Sequence, residues 1–189
     1  MFAYCLNNPV NGVDPSGQRP WYLDKDGNPQ EDGQIIYQVP CLDQGYTNLC
    51  WAYSILMRKS YEAGKKLSEE EINAAVDSFE FIYEVFWYNN IGLPFFLQGN
   101  KASMNSIEDL YELLLDNGPV YAAYNIPWTF EGHIVLVTGV DIESNRVYTN
   151  NPWNVKGVQS FSAFLNDFCP GKNVYDSRYQ LYAIYIPSF

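Results

Sequence analysis

Histidine is nearly missing from this sequence: among 189 residues there is one, His133. A single imidazole beside four irregularly spaced cysteines (Cys5, Cys41, Cys50 and Cys169), with no CxxC pair, excludes the common zinc ligand sets. No metal or other cofactor is expected. Cys41 and Cys169 are open to a disulfide, but free thiols in a reducing compartment are the expectation. Basic residues are scarce as well, 11 Lys plus Arg against 22 Asp plus Glu, and the resulting charge of -11 repels a phosphate backbone. Nucleic acid is therefore not an expected partner. No run approaches the ~18 apolar residues of a membrane-spanning helix. The N-terminus lacks a basic stretch followed by an apolar one, so no signal peptide is expected there. Internal repeats and low-complexity tracts are absent too.

What is present is a globular composition, 47% hydrophobic and 17% aromatic, with room for one domain and a leading segment. Its focus is Gln44 to Met57, QGYTNLCWAYSILM. Turn-forming residues (Asp43, Gly45, Thr47, Asn48) give way to Trp51, Ala52, Ile55 and Leu56, whose spacing predicts a helix packed on a core. Cys50 then stands in the first helical turn, where free N-H groups and the helix dipole favour a thiolate. That expectation puts the thiol pKa at about 3.5 to 7.5 when a cation assists, against ~8.5 for a free cysteine. Gln44 is close enough upstream for its amide to donate to an oxyanion forming beside the sulfur.

His133 opens the apolar run GHIVLVTGVD, which reads as a buried strand. A second run, Arg146 to Thr149, follows the turn-like Glu143-Ser144-Asn145 and leads into Asn150, Asn151, Pro152 and Trp153. A hairpin of the two strands returns Asn151 to the neighbourhood of His133, where a side-chain carbonyl holds the ring in one tautomer. Sequence alone leaves the choice between Asn151 and Asn150 open.

QGxxxxCWAxS, then GH before an apolar strand, then NNPW, resembles the papain-like cysteine peptidases of compact bacterial kind. These include the papain-like effectors of plant pathogens and the double-glycine leader peptidases of bacteriocin exporters. The resemblance implies Cys50 as nucleophile, His133 as general base and acid, Asn151 as the orienting third member and Gln44 as oxyanion-hole donor. Trp51, Trp128 and Trp153 become candidate substrate-binding residues. The 83 residues from Cys50 to His133 fall short of the roughly 130 to 150 of the papain and cathepsin pattern, which implies a trimmed core. Many bacterial relatives carry Asp at the third position, and Asn gives less charge stabilisation to an imidazolium. The leader peptidases imply a small-residue cleavage site such as Gly-Gly.

The first 18 residues carry closely spaced turn signals. YCLNNPVNGVDPSG resembles the sequence that closes the core of Rhs-type polymorphic toxins, ahead of a variable C-terminal toxin. The expected organisation is therefore an Rhs core end over residues 1–18, a linker over 19–40 and a papain-like toxin domain over 41–189. The resemblance implies a secreted effector delivered into the cytoplasm of a target cell. Its implied partners are a protein substrate there, a cognate immunity protein, and the rest of the Rhs shell with its secretion apparatus.

The linker is rich in Pro, Gly, Asp and Gln, with a hairpin-like turn at Asp26-Gly27-Asn28-Pro29 and a short strand at Ile35 to Val39. After the nucleophile helix, expected to stop near Gly64, Ser68-Glu69-Glu70-Glu71 starts a second helix with a capping box. It runs to about Tyr88, and its aromatics (Phe79, Phe81, Tyr83, Phe86, Trp87, Tyr88) read as core. Residues 89–105 read as a loop offering Leu93, Phe95 and Phe96 to substrate or partner. Ser106 caps a third helix that ends at Asn117-Gly118, Pro119 to Tyr124 is a strand, Ser160 caps a short helix to Phe168, and Gln180 to Pro187 is a closing strand. Helices and strands fall in blocks, so the expected fold is α+β: a helical lobe and an antiparallel sheet lobe with the thiol and the imidazole across a cleft. Two alternatives stay open. The same Cys, His and Asn set can run glutamine deamidation or transglutamination, and the domain can instead be an inactive binding module.

Overall fold

The computed structural model of the chain describes residues 12–13, 21–23, 29–31, 33–87, 99–125, 132–166 and 180–187. Among them the fold is α+β, four helices with a seven-stranded antiparallel sheet and a separate three-stranded one. The small sheet joins β1 (Gly12–Val13), β2 (Trp21–Leu23) and β3 (Pro29–Glu31) in that order. β2 and β3 pair antiparallel, and of the turn expected at Asp26-Gly27-Asn28-Pro29 all but Pro29 lies outside the described residues.

The large sheet takes β4 (Gln34–Ile36), β5 (Gly99–Ala102), β6 (Val120–Asn125), β7 (Gly132–Asp141), β8 (Arg146–Asn151), β9 (Val155–Ser160) and β10 (Gln180–Pro187). Its order is β5-β10-β6-β7-β8-β9, with β4 added against β7. Residues 34–36, which fall in the linker as read from sequence, are thus taken into this sheet.

β7 organises the sheet because it is buried from His133 to Val140, as its unbroken apolar run demands. One edge is covered by β6 over residues 132–137 and then by β4 over 139–141. The other pairs with β8 only from Leu136 to Asp141. Among the described residues, four at the start of β7 are therefore left without a strand on that edge, and helix α1 (Cys50–Glu62) packs against β7. Gly139 makes the close approach of β4 possible: a Cβ there would stand 2.5 Å from the Ile35 carbonyl oxygen.

α1 contains no Gly or Pro and buries Trp51, Ala52, Ile55, Leu56 and Met57, so most of its circumference is covered. Gly64 at φ +63° ends it, as expected. Arg58, buried, donates Nη1 to the Pro119 carbonyl and Nε to Glu62 Oε1 at 2.6 Å, fastening the C-terminal half of α1 to the entrance of β6. α2 (Glu69–Trp87) starts at the Ser68/Glu71 capping box, with Ser68 N donating to Glu71 Oε2 at 2.8 Å. α3 (Ile107–Asn117) has a second box from Ser106 and Asp109 and packs Leu110 and Leu114 into the core. α4 (Phe161–Asn166) follows Ser160, whose Oγ accepts from the Ala163 N-H.

Two strands fall outside the elements expected from the sequence. Residues 99–102, read as loop, pair as β5 with the end of β10, although GNKA has little strand propensity. VKGVQS is β9, which pairs with β8 and has no second strand beside it among the described residues. Tertiary pairing, not local preference, makes both. The loop residues Leu93, Phe95 and Phe96, the side chains of the α2 aromatics, Cys5, Cys169 and most of the N-terminal motif lie outside the described residues. No described helix is long and apolar enough to cross a membrane.

Candidate active site

The site lies where the start of α1 meets the open edge of β7. Cys50 is the first residue of α1. Leu49 precedes it at the N-cap without any side-chain hydrogen bond to the helix, and the first turn carries no acidic residue. The first N-H groups carry no side-chain cap, and the backbone N-H groups of Ile134, Trp51 and Cys50 itself pull the Cys50 thiol pKa down. Burial nevertheless pushes the thiol above its ordinary value, against the pull of those three donors. This overturns the thiolate expected from helix position alone: removing a sulfur anion from water outweighs three neutral dipoles, and the resting group is the thiol.

His133 is 4% exposed. Burial lowers its pKa to about 4, with the hydrogen bond to Asn151 opposing, so the imidazole is neutral at physiological pH. Its Nε2 lies 3.0 Å from Asn151 Oδ1. The same oxygen accepts the Trp153 backbone N-H at 3.1 Å, which fixes the amide orientation, since a backbone N-H can only donate. Nε2 therefore carries the ring proton and Nδ1 is left as the acceptor. The β7–β8 hairpin creates this contact from residues 18 apart in sequence.

Of the two asparagines, Asn151 is the one that meets the imidazole. Asn150 points to the other face of β8 and donates Nδ2 to the Val39 carbonyl at 3.0 Å, tying the strand to the segment before the nucleophile. Trp153, a candidate for substrate contact, stacks on His133 with ring centroids 4.7 Å apart and planes 30° inclined, so it roofs the imidazole. Trp51, another such candidate, is 3% exposed and belongs to the core; its ring offers no surface to a substrate. Trp128 lies outside the described residues.

Gln44 is held beside the same segment. Its backbone N-H donates to the Pro152 carbonyl at 2.6 Å, and Asp43 bridges Trp153. Cys41, a half-buried free thiol, donates to the Asn151 carbonyl at 3.5 Å. The strip from 41 to 44 is thus zipped to 151–153. The Gln44 amide, 5% exposed, donates one Nε2 hydrogen to the Thr47 carbonyl at 2.5 Å and keeps a second.

One residue in the quoted motif received no role from the sequence. Ser54, 0% exposed, donates Oγ to the Ile134 carbonyl at 3.3 Å, one turn along α1 from Cys50. Its signal was the CWAxS spacing, which puts Cys50 and Ser54 on one helix face.

A neutral thiol, a neutral imidazole with a fixed tautomer and a set of inward N-H donors at a helix start are the parts needed for acyl transfer through sulfur. No curated protein and no solved structure matches the chain. A family model does match, that of the papain-like cysteine protease AvrRpt2, over residues 33–168. That span holds well over half of the chain, including Gln44, Cys50, His133 and Asn151, and its fold is the one described above. The chain belongs to the papain-like cysteine protease AvrRpt2 family and is a cysteine peptidase acting on protein.

Proposed function

We propose that Cys50, His133, Asn151 and Gln44 form the catalytic set of this peptidase. The observation that carries the assignment is the 3.0 Å contact of His133 Nε2 with Asn151 Oδ1, at the start of the strand against which the Cys50 helix packs. Cys50 Sγ attacks the peptide carbonyl carbon and its proton passes to His133 Nδ1. The Cys50 N-H and the second Gln44 Nε2-H stabilise the oxyanion. Collapse expels the amine, which takes the proton from the imidazolium and leaves a thioester. Water, deprotonated by His133, then hydrolyses the thioester and restores the thiol.

The setting of this activity is read from the N-terminal motif. Residues 1–18 are the end of an Rhs core, 19–40 the linker and 41–189 the toxin domain. The peptidase is a secreted effector that cleaves a cytoplasmic protein of a competing bacterium, and a cognate immunity protein protects the producer. The likeness of residues 4–17 to the closing sequence of Rhs shells supports this. Expression in a susceptible bacterium, with proteome-wide labelling of new N-termini, tests both parts. Growth arrest with new termini is expected from the native chain, and neither from Cys50→Ala or His133→Ala. Arrest that persists in either variant, or target crosslinking or deamidation without new termini, overturns the reading.

A further inference from the structure

Ile134 follows His133 directly and is 1% exposed. In an antiparallel strand the N-H and C=O of one residue point to the same edge. For Ile134 that edge is the one β8 leaves uncovered, because the β8 ladder reaches only to Leu136. Both polar groups of this residue need partners from another element, since a buried and unpaired donor or acceptor is costly. α1 supplies one for the carbonyl, because Ser54 Oγ donates to it at 3.3 Å. One turn earlier on the same helix face stands Cys50, whose thiol pKa the Ile134 N-H pulls down. Two side chains four residues apart on one helix face thus address a single strand residue, and the strand residue before it is His133.

We propose that Ser54 is a positioning residue, which sets the register of α1 on β7 and so holds the Cys50 sulfur in place for His133. The sulfur contact alone is soft, since a thiol is a weak acceptor. The hydroxyl contact prevents α1 from sliding along the strand edge, and Arg58 fixes the far end of the helix through Pro119. A displacement of about 1 Å between reacting groups costs on the order of a hundredfold in rate, so one hydroxyl remote from the substrate governs reactivity. The inference rests on the assignment of Cys50 and His133.

The test is the rate of carbamidomethylation of Cys50 by iodoacetamide in the full chain, followed on the Cys50 peptide by mass spectrometry from about pH 4 to 9. Native protein, His133→Ala, Ser54→Ala, Ser54→Thr and Ser54→Val are compared. His133→Ala is expected to remove the rate advantage near neutrality. Ser54→Ala is expected to lose at least about tenfold and to take on the pH profile of His133→Ala. Thr and Val have the same shape, so any overpacking cancels between them. Thr is expected to stay about tenfold or more above Val, a comparison that stands even if the alanine variant fails to fold. Leu114→Ala, a core change on α3, is expected to lower the melting temperature without altering the profile. Native rate and profile in Ser54→Ala, or equal rates for Thr and Val, overturn the role of Ser54 while leaving the catalytic assignment intact. An unchanged rate in His133→Ala overturns that assignment and the role of Ser54 with it.

Discussion

The starts of α1 and α3 are built in opposite ways. At α3, Ser106 Oγ accepts the Asp109 N-H, the Asp109 carboxylate takes the Ser106 N-H in return, and Glu108 adds a second negative charge to the first turn. At α1 a buried Leu49 stands at the N-cap, no side chain caps the helix and no acid lies in the first turn. The α3 start is finished by its own side chains and contributes stability. The α1 start is left open, and its N-H groups pull the Cys50 thiol pKa down. A capping carboxylate there would occupy those N-H groups and repel the oxyanion they are to hold, so local stability is given up where chemistry is done.

The contrast breaks most sharply if the sulfur goes. Cys50→Ala is expected to lower kcat/KM by at least about a thousandfold, read on a reporter peptide, with the fold retained by circular dichroism. Asn151→Ala follows, with a loss of about 10- to 100-fold in kcat, because the imidazole loses its fixed tautomer and orientation. Asn151→Asp is expected to keep more activity and to move the acid limb of the pH profile upward from about pH 4, since a carboxylate favours the imidazolium.

His133 also ties stability to pH. Its folded value, about 4, lies below the 6.5 of the unfolded chain, so between these values the unfolded state binds more protons. The contribution is fully present above pH 6.5 and is lost as the pH falls through 4, about 3 kcal/mol in all. Urea unfolding of the native chain and of His133→Leu across that window measures it, and the variant is expected to show the smaller slope. The smallest effect is expected at the other helix. Ser106→Ala costs about 1 kcal/mol of stability and leaves kcat/KM unchanged, the reverse of the result at α1.

Much of this was legible in the sequence where local rules act. The capping boxes at Ser68 and Ser106, the stop at Gly64 and the closing strand at Gln180–Pro187 depend on neighbours a few residues apart. β5 and β9 were not legible, because GNKA and VKGVQS become strands only through partners remote in the chain. In the site, residue types and order singled out Cys50 and His133. The thiolate expectation failed because helix position is local while desolvation is not.

By itself the sequence determined the chemistry on offer: one imidazole, a cysteine at the start of a helix, an amide six residues before it and a pair of asparagines after a hairpin. Only the tertiary structure decided which asparagine meets the imidazole, that Trp153 covers it while Trp51 is buried, and that Cys50 and Ser54 share Ile134. The physical reason is that strand register and the helix's place on an open strand edge are set by long-range packing. A shift of one residue in either would leave the composition unchanged and point every one of these side chains elsewhere.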